Sequence, residues 1–283
     1  MSHIKKGRLK TFALAAAAIS LAAVLAVRDS KYNLTVTRYE LEFDSLPAEF
    51  DGFRIVHISD LHGSIFGENN SSLARLIEQQ QPDLIAMTGD FAGNIAELGA
   101  TEGLLSELGD AAPIYFAGGN HEWVGEVMPR MRRLLAQYGA HCLENQYESF
   151  EKDGASIVIA GAEDPNGRAD RLDPETFAEL IREEHPDAFV LWLGHRNFWA
   201  EKYPALPVDL ILSGHAHGGI IRLPLIGGLL NTSHRFIAEY EKGLYSGQRF
   251  IMEVSTGLGN SIFVPRLFNR PELVCITLRS AGS

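Results

Sequence analysis

Five short apolar segments of this sequence each run directly into a loop rich in Asp, His, Asn and Gly. The five junctions are ISDLH (58–62), TGD (88–90), GGNHE (118–122), LGH (193–195) and SGHAHGG (213–219). A single junction of this kind is an ordinary turn, but strand ends on the same edge of a sheet converge in space. Five of them are hard to explain by packing alone. The pattern therefore predicts buried strands that bring one polar site together at a sheet edge.

The apolar periodicity alternates between that of strands and that of helices. It predicts strands at 32–43 (an edge strand), 53–59, 84–88, 114–117, 146–150, 156–160, 188–193, 208–213, 250–254 and 273–278. It predicts helices at 72–80, 96–108, 124–138 and 174–184. Strands that alternate with helices at this spacing imply crossover connections and a mostly buried sheet. We therefore predict an α/β sandwich in which two packed sheets are flanked by helices.

The polar residues at the five junctions are ligands that divalent metal ions accept. Carboxylate and amide oxygens occur together with imidazoles and without thiolates, a set suited to Mn, Fe or Zn. In Asp-x-His and His-x-His, residues two apart in extended backbone point the same way, so each pair can face one ion. The predicted metal ligands are Asp60, His62, Asp90, Asn120, His195, His215 and His217.

Each junction has a simpler explanation when it is considered alone. Asp60 suits the turn after a strand, and His195 suits a hydrogen-bonded structural histidine. His57, inside the first core strand, is predicted to be such a core residue. The SGHAHGG segment is different, because two histidines among three glycines have few packing reasons. The ordered set as a whole favours a metal site.

The order D-x-H, G-D, G-N-H-E, H and G-H-x-H resembles the calcineurin-like metallophosphoesterase superfamily over residues 53–219. The run GHAHGGIIRLP, followed by GLGNS and NRPE, resembles its bacterial membrane-associated, YaeI/YkuE-like branch and extends the resemblance to about residue 272. Two departures stand out: GHRN lacks the proline common in that motif, and Ala216 replaces the usual Thr. Neither departure removes a ligand.

The resemblance implies a metal-dependent phosphoesterase with two metal ions. It assigns Asp60, His62 and His217 to one ion, Asn120, His195 and His215 to the other, Asp90 to both, and His121 to the scissile phosphate as proton donor or cationic stabiliser. Two such ions would produce a bridging hydroxide near neutral pH for in-line attack. The implied reaction is hydrolysis of a phosphodiester or pyrophosphate bond in a small-molecule or lipid-linked phosphoester. The alternatives are a phosphomonoesterase or protein phosphatase, and a non-catalytic metal-binding envelope protein.

An apolar segment precedes these motifs. Residues 11–27, TFALAAAAISLAAVLAV, are uncharged and follow Lys5, Lys6, Arg8 and Lys10. As a helix at ~1.5 Å per residue the run is roughly 25 Å long, at the short end of what crosses a bilayer. The basic residues before it predict a cytoplasmic N-terminus and an external domain. We predict a membrane anchor or signal segment at 1–30 and a metallophosphoesterase domain at 31–283; cleavage would give a secreted or cell-wall associated protein.

The acidic composition limits the partners. The chain has 36 acidic against 25 basic residues, a net charge of -11. Because an acidic body repels polyanions, no nucleic-acid partner is predicted. The two cysteines, Cys142 and Cys275, are too few for a disulfide framework or a structural zinc site. The apolar segment 218–230 either lines a groove for a lipid-like substrate, or faces the membrane, or forms a buried strand and turn.

Overall fold

The computed structural model describes residues 2–168, 172–223, 226–229 and 239–282, with side chains from residue 14 onward. Its strands are β1 (Thr35–Phe43), β2 (Arg54–Ile58), β3 (Leu84–Thr88), β4 (Ile114–Ala117), β5 (His141–Cys142), β6 (Gln146–Lys152), β7 (Ala155–Gly161), β8 (Val190–Leu193), β9 (Leu210–Ser213), β10 (Arg222–Leu223), β11 (Gly227–Gly228), β12 (Gly243–Ser246), β13 (Ile251–Val254) and β14 (Glu272–Ser280). Its helices are α1 (Ser2–Tyr32), α2 (Ser71–Glu78), α3 (Leu98–Leu108), α4 (Asn120–Val124), α5 (Met128–Gln137), α6 (Pro174–Glu184) and α7 (Trp199–Lys202).

Two six-stranded sheets form the body of the protein. The first has the order β1-β14-β2-β3-β4-β5, with β2 to β5 parallel. The second has the order β12-β13-β9-β8-β7-β6, with β13, β9, β8 and β7 parallel. The predicted edge strand is β1, which pairs only with β14 among the described strands.

Apolar side chains fill three layers. In β2, Ile55 packs in the layer between the two sheets, whereas Val56 packs against helices on the outer face of the first sheet. A third layer, which includes Phe177 and Trp192, lies between the second sheet and α6. Because both faces of each sheet are covered, the central strands are continuous apolar runs. The predicted two-sheet α/β sandwich flanked by helices is confirmed.

The five polar junctions do not lie on one sheet. Three of them follow β2, β3 and β4 of the first sheet, and two follow β8 and β9 of the second. The prediction of a single sheet edge is wrong, because after β5 the chain enters the second sheet through the antiparallel pair β6 and β7. The two sheets face each other, so the same ends of both still meet.

The helix predicted at 124–138 is confirmed over α5 (Met128–Gln137), but its predicted start is wrong, because a break separates α5 from the short helix α4, which ends at Val124. A Cβ added to Gly125 would lie 1.9 Å from the Gly93 carbonyl oxygen, so the chain passes too close to Gly93 for another residue. Glu126 then takes a left-handed φ of 55°, and Pro129 lies in the first turn of α5. The break gives the short helix α4, which carries Asn120 and His121, a direction of its own.

The first helix is fixed to the body at its C-terminal end. Arg270 donates two hydrogen bonds to the Asp29 carboxylate, at 2.7 and 2.8 Å, and Ser30 is fully buried. Further towards the N-terminus, Leu14 and Ile19 are exposed. No helix in the described ranges has the length and apolar character needed to cross a membrane. The side chains of the four basic residues and of residues 11–13 lie outside the described part.

The apolar segment 218–230 is described only in part. Ile220 is fully buried, and β10 pairs antiparallel with β11. Residues 224, 225 and 230 lie outside the described residues. Ile220 therefore does not line a surface groove. Cys142 and Cys275 are both free thiols.

Candidate metal centre

The carboxyl ends of β2, β3, β4, β8 and β9 bring acidic and imidazole side chains into one cluster. Three overlapping groups could each hold a metal ion, and in each group the ligand atoms lie within 4.8 Å of one another. The groups are Asp60 with His62 and His217, His62 with Asp90 and His121, and Asp90 with His195 and His215. Because His62 and Asp90 are shared, the three groups form one continuous centre with two ends.

The first end lies between the loops after β2 and β9. The Nε2 atoms of His62 and His217 are 3.3 Å apart, and Oδ1 of Asp60 lies 3.9 Å from the former and 3.5 Å from the latter. All three side chains are at least 96% buried, since the most exposed of them, His62, is 4% exposed. Three ligand atoms thus face one small space.

The second end lies between β3, β8 and β9. His195 Nε2 is 3.1 Å from Asp90 Oδ2 and 3.2 Å from His215 Nδ1. The other ring nitrogen, Nδ1 of His195, donates to the Thr88 carbonyl oxygen at 2.7 Å. That bond fixes the ring so that Nε2 faces the cluster, and metal-binding histidines are commonly oriented by a hydrogen bond of this kind. Asp90 Oδ2 is also 3.8 Å from His62 Nε2, which places Asp90 between the two ends.

Asn120 supplies a further sign that a ligand belongs here. Its Oδ1 atom is buried and has no hydrogen-bond partner in the described part of the protein. A buried acceptor without a partner costs ~1–3 kcal/mol, which a bound cation would offset. The donor set, two carboxylates, one amide oxygen and four imidazoles, therefore fits a pair of divalent or transition metal ions.

The backbone at these residues is unusual. Asp60, His62, Asp90, His215 and His217 all have left-handed φ angles, from 44° to 69°. Such conformations are uncommon for residues other than Gly, cost of the order of 1–3 kcal/mol each, and cluster at functional sites. The expectation that Asp-x-His and His-x-His present their side chains from extended backbone is wrong. Left-handed turns direct the side chains into the centre instead.

The charges are unevenly distributed over the centre. Burial raises the pKa of Asp60 to about 6. Burial would also raise the pKa of Asp90, but His195 and the other imidazoles hold it below its ordinary value. For His195 burial opposes protonation, yet the Asp90 carboxylate outweighs it and raises the pKa to about 10. Asp90 and His195 thus form an ion pair in the metal-free protein.

The imidazoles of His62, His215 and His217 are neutral. Burial lowers the pKa of His62 to about 3. It also lowers the pKa of His215 and His217 well below the ordinary value. Neutral imidazoles have a lone pair to offer, which is the form that binds metal ions.

His121 differs from its neighbours in exposure. Its side chain is 37% exposed, and its Nε2 lies 3.9 Å from Asp90 Oδ2. Its ring packs edge-on against His62 with 4.7 Å between centroids, and its backbone N–H donates to Asp90 Oδ1 at 2.8 Å. The side chain therefore stands at the mouth of the centre, where it can reach a bound molecule.

Glu122 holds the loop that carries Asp90. Its fully buried carboxylate accepts hydrogen bonds from four backbone N–H groups, at 2.6 to 3.1 Å, those of Asp90, Phe91, Ala92 and Gly119. Burial raises the pKa of Glu122 to about 7, and the hydrogen bonds to Ala92 and Asp90 oppose that rise. These contacts show that Glu122 orients the loop after β3, and its contact with the Gly119 N–H also caps α4.

Asp164, beside the centre, was not predicted from the sequence, whereas Arg196 was a candidate for contact with a substrate phosphate, with a solvated side chain as the alternative. Asp164 follows β7 and has a fully buried side chain, and it binds the guanidinium of Arg196 through Nε and Nη2 at 2.6 and 3.1 Å. The missed signal was a sixth junction of the same kind, in which the apolar run of β7 leads into AEDPNG (162–167). Asp164 thus reaches the centre through Arg196, whose Nη1 lies 3.0 Å from His215 Nε2.

Comparison with known proteins gives consistent matches. Residues 53–219 match the model of the family described as Calcineurin-like phosphoesterase. The chain is 30% identical over 264 residues to the uncharacterized metallophosphoesterase YkuE of Bacillus subtilis (strain 168), covering 89% of this chain and 87% of that one. It is 31% identical over 235 residues to the phosphodiesterase YaeI of Escherichia coli (strain K12), covering 80% and 82%.

More distant matches include a vertebrate protein and a solved structure. The transmembrane protein with metallophosphoesterase domain of Danio rerio is 24% identical over 293 residues, covering 98% of this chain and 65% of that one. The crystal structure of TT1561 of Thermus thermophilus covers 73% of this chain and 90% of that one at 13% identity, with a TM-score of 0.49. With more than half of its length matched by the family model, the chain belongs to the calcineurin-like phosphoesterase family, and its enzyme class is metallophosphoesterase.

Proposed function

We propose that the protein hydrolyses a phosphodiester or pyrophosphate bond at a two-metal centre. The observation that carries the proposal is the position of Asp90, whose carboxylate lies between two groups of buried ligand atoms. One carboxylate shared by two such groups is what a pair of closely spaced cations requires. Relatives are named as a phosphodiesterase and as metallophosphoesterases, which agrees with this reaction class.

The ligand roles follow from the two ends of the centre. In this proposal Asp60, His62 and His217 hold one ion, Asn120, His195 and His215 hold the other, and Asp90 bridges them. When bound, two such ions would neutralise charge on the phosphoryl oxygens and would supply a hydroxide nucleophile near neutral pH. Mn, Fe and Zn all suit the mixed nitrogen and oxygen set.

His121 acts as the proton donor to the leaving group. The imidazole is geometrically able to join a ligand group with His62 and Asp90. Its exposure favours contact with the substrate, because ligands such as His62 and His195 are almost completely buried. A proton donated to the departing oxygen contributes roughly 10² to 10⁴-fold to the rate.

The surroundings of the centre favour a substrate with a large second group. One hollow of about 360 Å³ is lined by His62, Ser64, Lys31 and Tyr32, among others. A second hollow of about 380 Å³ shares Lys31 and Ser64 with the first and continues to Phe263. A monoester has only one organic group to place in these hollows, whereas a diester or pyrophosphate has a second.

The same hollows support an amphiphilic, lipid-linked phosphoester. Lys31 has no ion-pair partner among the described residues, so its charge is available to an anionic group. Beyond Lys31, a third hollow is bounded by Ala23, Val24 and Val27 of α1. A substrate with its phosphoryl group at the centre and an apolar chain along α1 would place polar atoms near Lys31 and apolar atoms against Val24 and Val27.

Metal reconstitution tests the proposed function. The protein is stripped with a chelator, reloaded with Mn, Fe or Zn, and assayed for bound metal and for hydrolysis of bis-p-nitrophenyl phosphate and p-nitrophenyl phosphate. Two ions per chain and faster hydrolysis of the diester are expected. Preference for the monoester would support a phosphomonoesterase or protein phosphatase. Metal binding without hydrolysis of either compound would support a non-catalytic metal-binding envelope protein.

The proposal extends to the cellular location. Residues 1–30 attach the protein to a membrane, and residues 31–283 form the catalytic domain outside the cytoplasm. The exposed apolar side chains of α1, among them Leu14, Ile19 and Val24, and the name of the Danio rerio relative support this arrangement. Fractionation of cells that produce the full chain, followed by protease treatment of spheroplasts, tests it. Recovery of intact protein from the soluble cytoplasmic fraction would contradict it, and release into the medium would support cleavage.

A further inference from the structure

Arg196 is the residue after the proposed ligand His195, and its guanidinium lies against another proposed ligand. Its Nη1 is 3.0 Å from His215 Nε2. The opposite edge of the guanidinium donates to Asp164 from Nε at 2.6 Å and from Nη2 at 3.1 Å. The Arg196 side chain is 19% exposed and that of Asp164 is fully buried. One edge of the guanidinium is thus fixed, and the other faces the centre.

Asp164 is itself held firmly. Its Oδ1 accepts a hydrogen bond from the Asn166 backbone N–H at 2.9 Å, and its carbonyl oxygen accepts one from Gly167 at 2.7 Å. A two-point contact between guanidinium and carboxylate fixes the guanidinium plane as well as its position. Arg196 is therefore pre-oriented by a buried carboxylate that has no place among the proposed metal ligands.

The hydrogen bond from Arg196 to His215 Nε2 is not compatible with a cation bound at His215 Nδ1. His215 Nδ1 faces the cluster, 3.2 Å from His195 Nε2. A neutral imidazole carries one proton, so when Nδ1 offers its lone pair to a cation, Nε2 carries the N–H. Nε2 is then a donor, and because Arg196 can also only donate, no hydrogen bond forms between them. With a cation bound at Nδ1, the Nη1 donor of Arg196 loses its present acceptor.

The charges around the centre also favour contact between Arg196 and an anion. A guanidinium beside two bound cations is repelled by them unless an anion lies between. Asp164 neutralises one edge of Arg196 and leaves the Nη1 edge for such an anion. Arg222, by contrast, donates to the Gly218 carbonyl oxygen at 2.6 Å and lies 3.7 Å from Glu241, so its guanidinium is engaged elsewhere.

We propose that Arg196 binds the phosphoryl group of the substrate. With metal bound, Nη1 of Arg196 would donate to a non-bridging phosphoryl oxygen instead of to His215, while Nε and Nη2 stay on Asp164 and hold the guanidinium in place. Asp164 is a positioning residue that acts through Arg196. The inference rests on the proposed function, because it needs a phosphoryl group at the second end of the centre.

The test measures affinity for inorganic phosphate on the Mn-loaded protein by calorimetry, together with metal content and the KM and kcat for bis-p-nitrophenyl phosphate. Arg196→Gln is expected to keep both ions and to bind phosphate about 10- to 100-fold more weakly, the range lost with a charge-assisted hydrogen bond. Arg196→Lys keeps the positive charge but lacks the planar guanidinium with its paired N–H donors, so it should recover part of the lost phosphate affinity. Asp164→Asn should also weaken phosphate binding, but by a smaller factor than Arg196→Gln.

Arg132→Gln is the matched control. Arg132 forms the same two-point contact with Glu144, at 2.7 and 2.8 Å, but on the surface. That variant should bind phosphate as the unmodified protein does. Unchanged phosphate affinity in fully loaded Arg196→Gln and Arg196→Lys would overturn the proposal, and so would loss of an ion from both, since Arg196 would then only support His215. If the unmodified protein binds metal but hydrolyses nothing, the proposed function fails, whereas the phosphate titration still reports on Arg196.

Discussion

The Nδ1 atom of His57 lies 2.6 Å from Oε2 of Glu253, and this contact joins the two sheets. His57 is on β2 of the first sheet and Glu253 on β13 of the second, and both are at most 1% exposed. The other ring nitrogen of His57 is 2.6 Å from the Thr88 hydroxyl, at the end of β3. Burial raises the pKa of Glu253, and His57 opposes that rise. The pair fixes the distance between two strands that lie next to the centre.

His57→Leu is predicted to destabilise the protein more than Glu253→Gln does. Removing His57 leaves a buried carboxylate without its partner, and breaking a buried pair in this way costs about 3–5 kcal/mol. Gln at position 253 can still accept a hydrogen bond from His57. Urea denaturation of the two variants checks the order. Equal stability of the two variants, within the error of the fits, would contradict the predicted order, and stability equal to that of the unmodified protein would show that the pair contributes little.

Replacement of Glu122 by Ala is predicted to weaken metal binding without removing a ligand. Four backbone N–H groups would lose their acceptor, and the loop that carries Asp90 would lose its support. Loss of a supporting residue of this kind costs roughly 10 to 100-fold in metal affinity. Competition with a metal-binding dye measures the change. Glu97→Ala is the control, because Glu97 accepts one backbone N–H of that loop, that of Gly93 at 2.7 Å, besides the Asn94 side-chain amide at 2.6 Å; equal effects would contradict the prediction.

Asp90→Asn and His121→Ala are predicted to fail in different ways. Asp90 lies between both ends of the centre, so the amide, which lacks the charge, should release metal along with activity. His121→Ala should keep its metal and lose roughly 10² to 10⁴-fold in turnover, the range of general acid catalysis. Metal analysis beside a diesterase assay separates the two outcomes. Full activity in either variant would refute the assigned role.

Much of the fold was predictable from the sequence because burial on both faces leaves a continuous apolar run. The strand predicted at 84–88 and the helix predicted at 174–184 match β3 and α6 at both ends. The strand β12 was missed because its four residues alternate between half-buried and exposed at a sheet edge. The break at Gly125 was missed because it depends on a contact with Gly93, which local periodicity does not contain.

For the centre, the sequence predicted which side chains take part but not the sheet arrangement or the backbone conformation that brings them together. The sequence predicted which residues meet, because each ends an apolar strand. It did not predict that three of those strands belong to one sheet and two to the other, since strand order is a property of the whole chain. The left-handed φ at Asp60 and His217 was also not predicted, because Asp and His adopt this conformation more often than most residues but still only in a small minority of cases. Asp164 required the sixth strand end to be placed beside the other five.

Metal binding is predicted to release a proton from the second end of the centre. Burial lowers the pKa of His195 but the Asp90 carboxylate raises it more, to about 10, so the ring is protonated in the metal-free protein at about pH 8. A ligand imidazole must be neutral, so cation binding expels that proton and metal affinity should rise with pH. His62 releases no proton on metal binding at this pH, since burial lowers its pKa to about 3 and the ring is already neutral. Calorimetry at one pH in two buffers of different ionisation enthalpy measures the release; identical heats would contradict it.

An alkyl chain on the substrate is predicted to increase the catalytic efficiency. The hollows near Lys31 lead from His62 towards Phe263 on one side and towards Val27 on the other. Phe263 is fully exposed and Val27 is half-buried, so both can gain apolar contact with a bound chain. Burial of about two methylene groups, at ~0.8 kcal/mol each, already corresponds to about tenfold in kcat/KM.

Methyl and dodecyl p-nitrophenyl phosphate test this prediction, because they share the reacting phosphorus and the leaving group. The dodecyl ester should be favoured by at least about tenfold in kcat/KM, measured below its micelle concentration. Phe263→Ser and Val27→Ser should reduce that preference while the methyl ester is hydrolysed as before. Leu180→Ser, at an exposed apolar position of α6 on the outer face of the second sheet, should change neither rate. Equal efficiency with both esters would rule out an apolar substrate chain in these hollows, whereas hydrolysis of neither would instead count against the phosphodiesterase reaction itself.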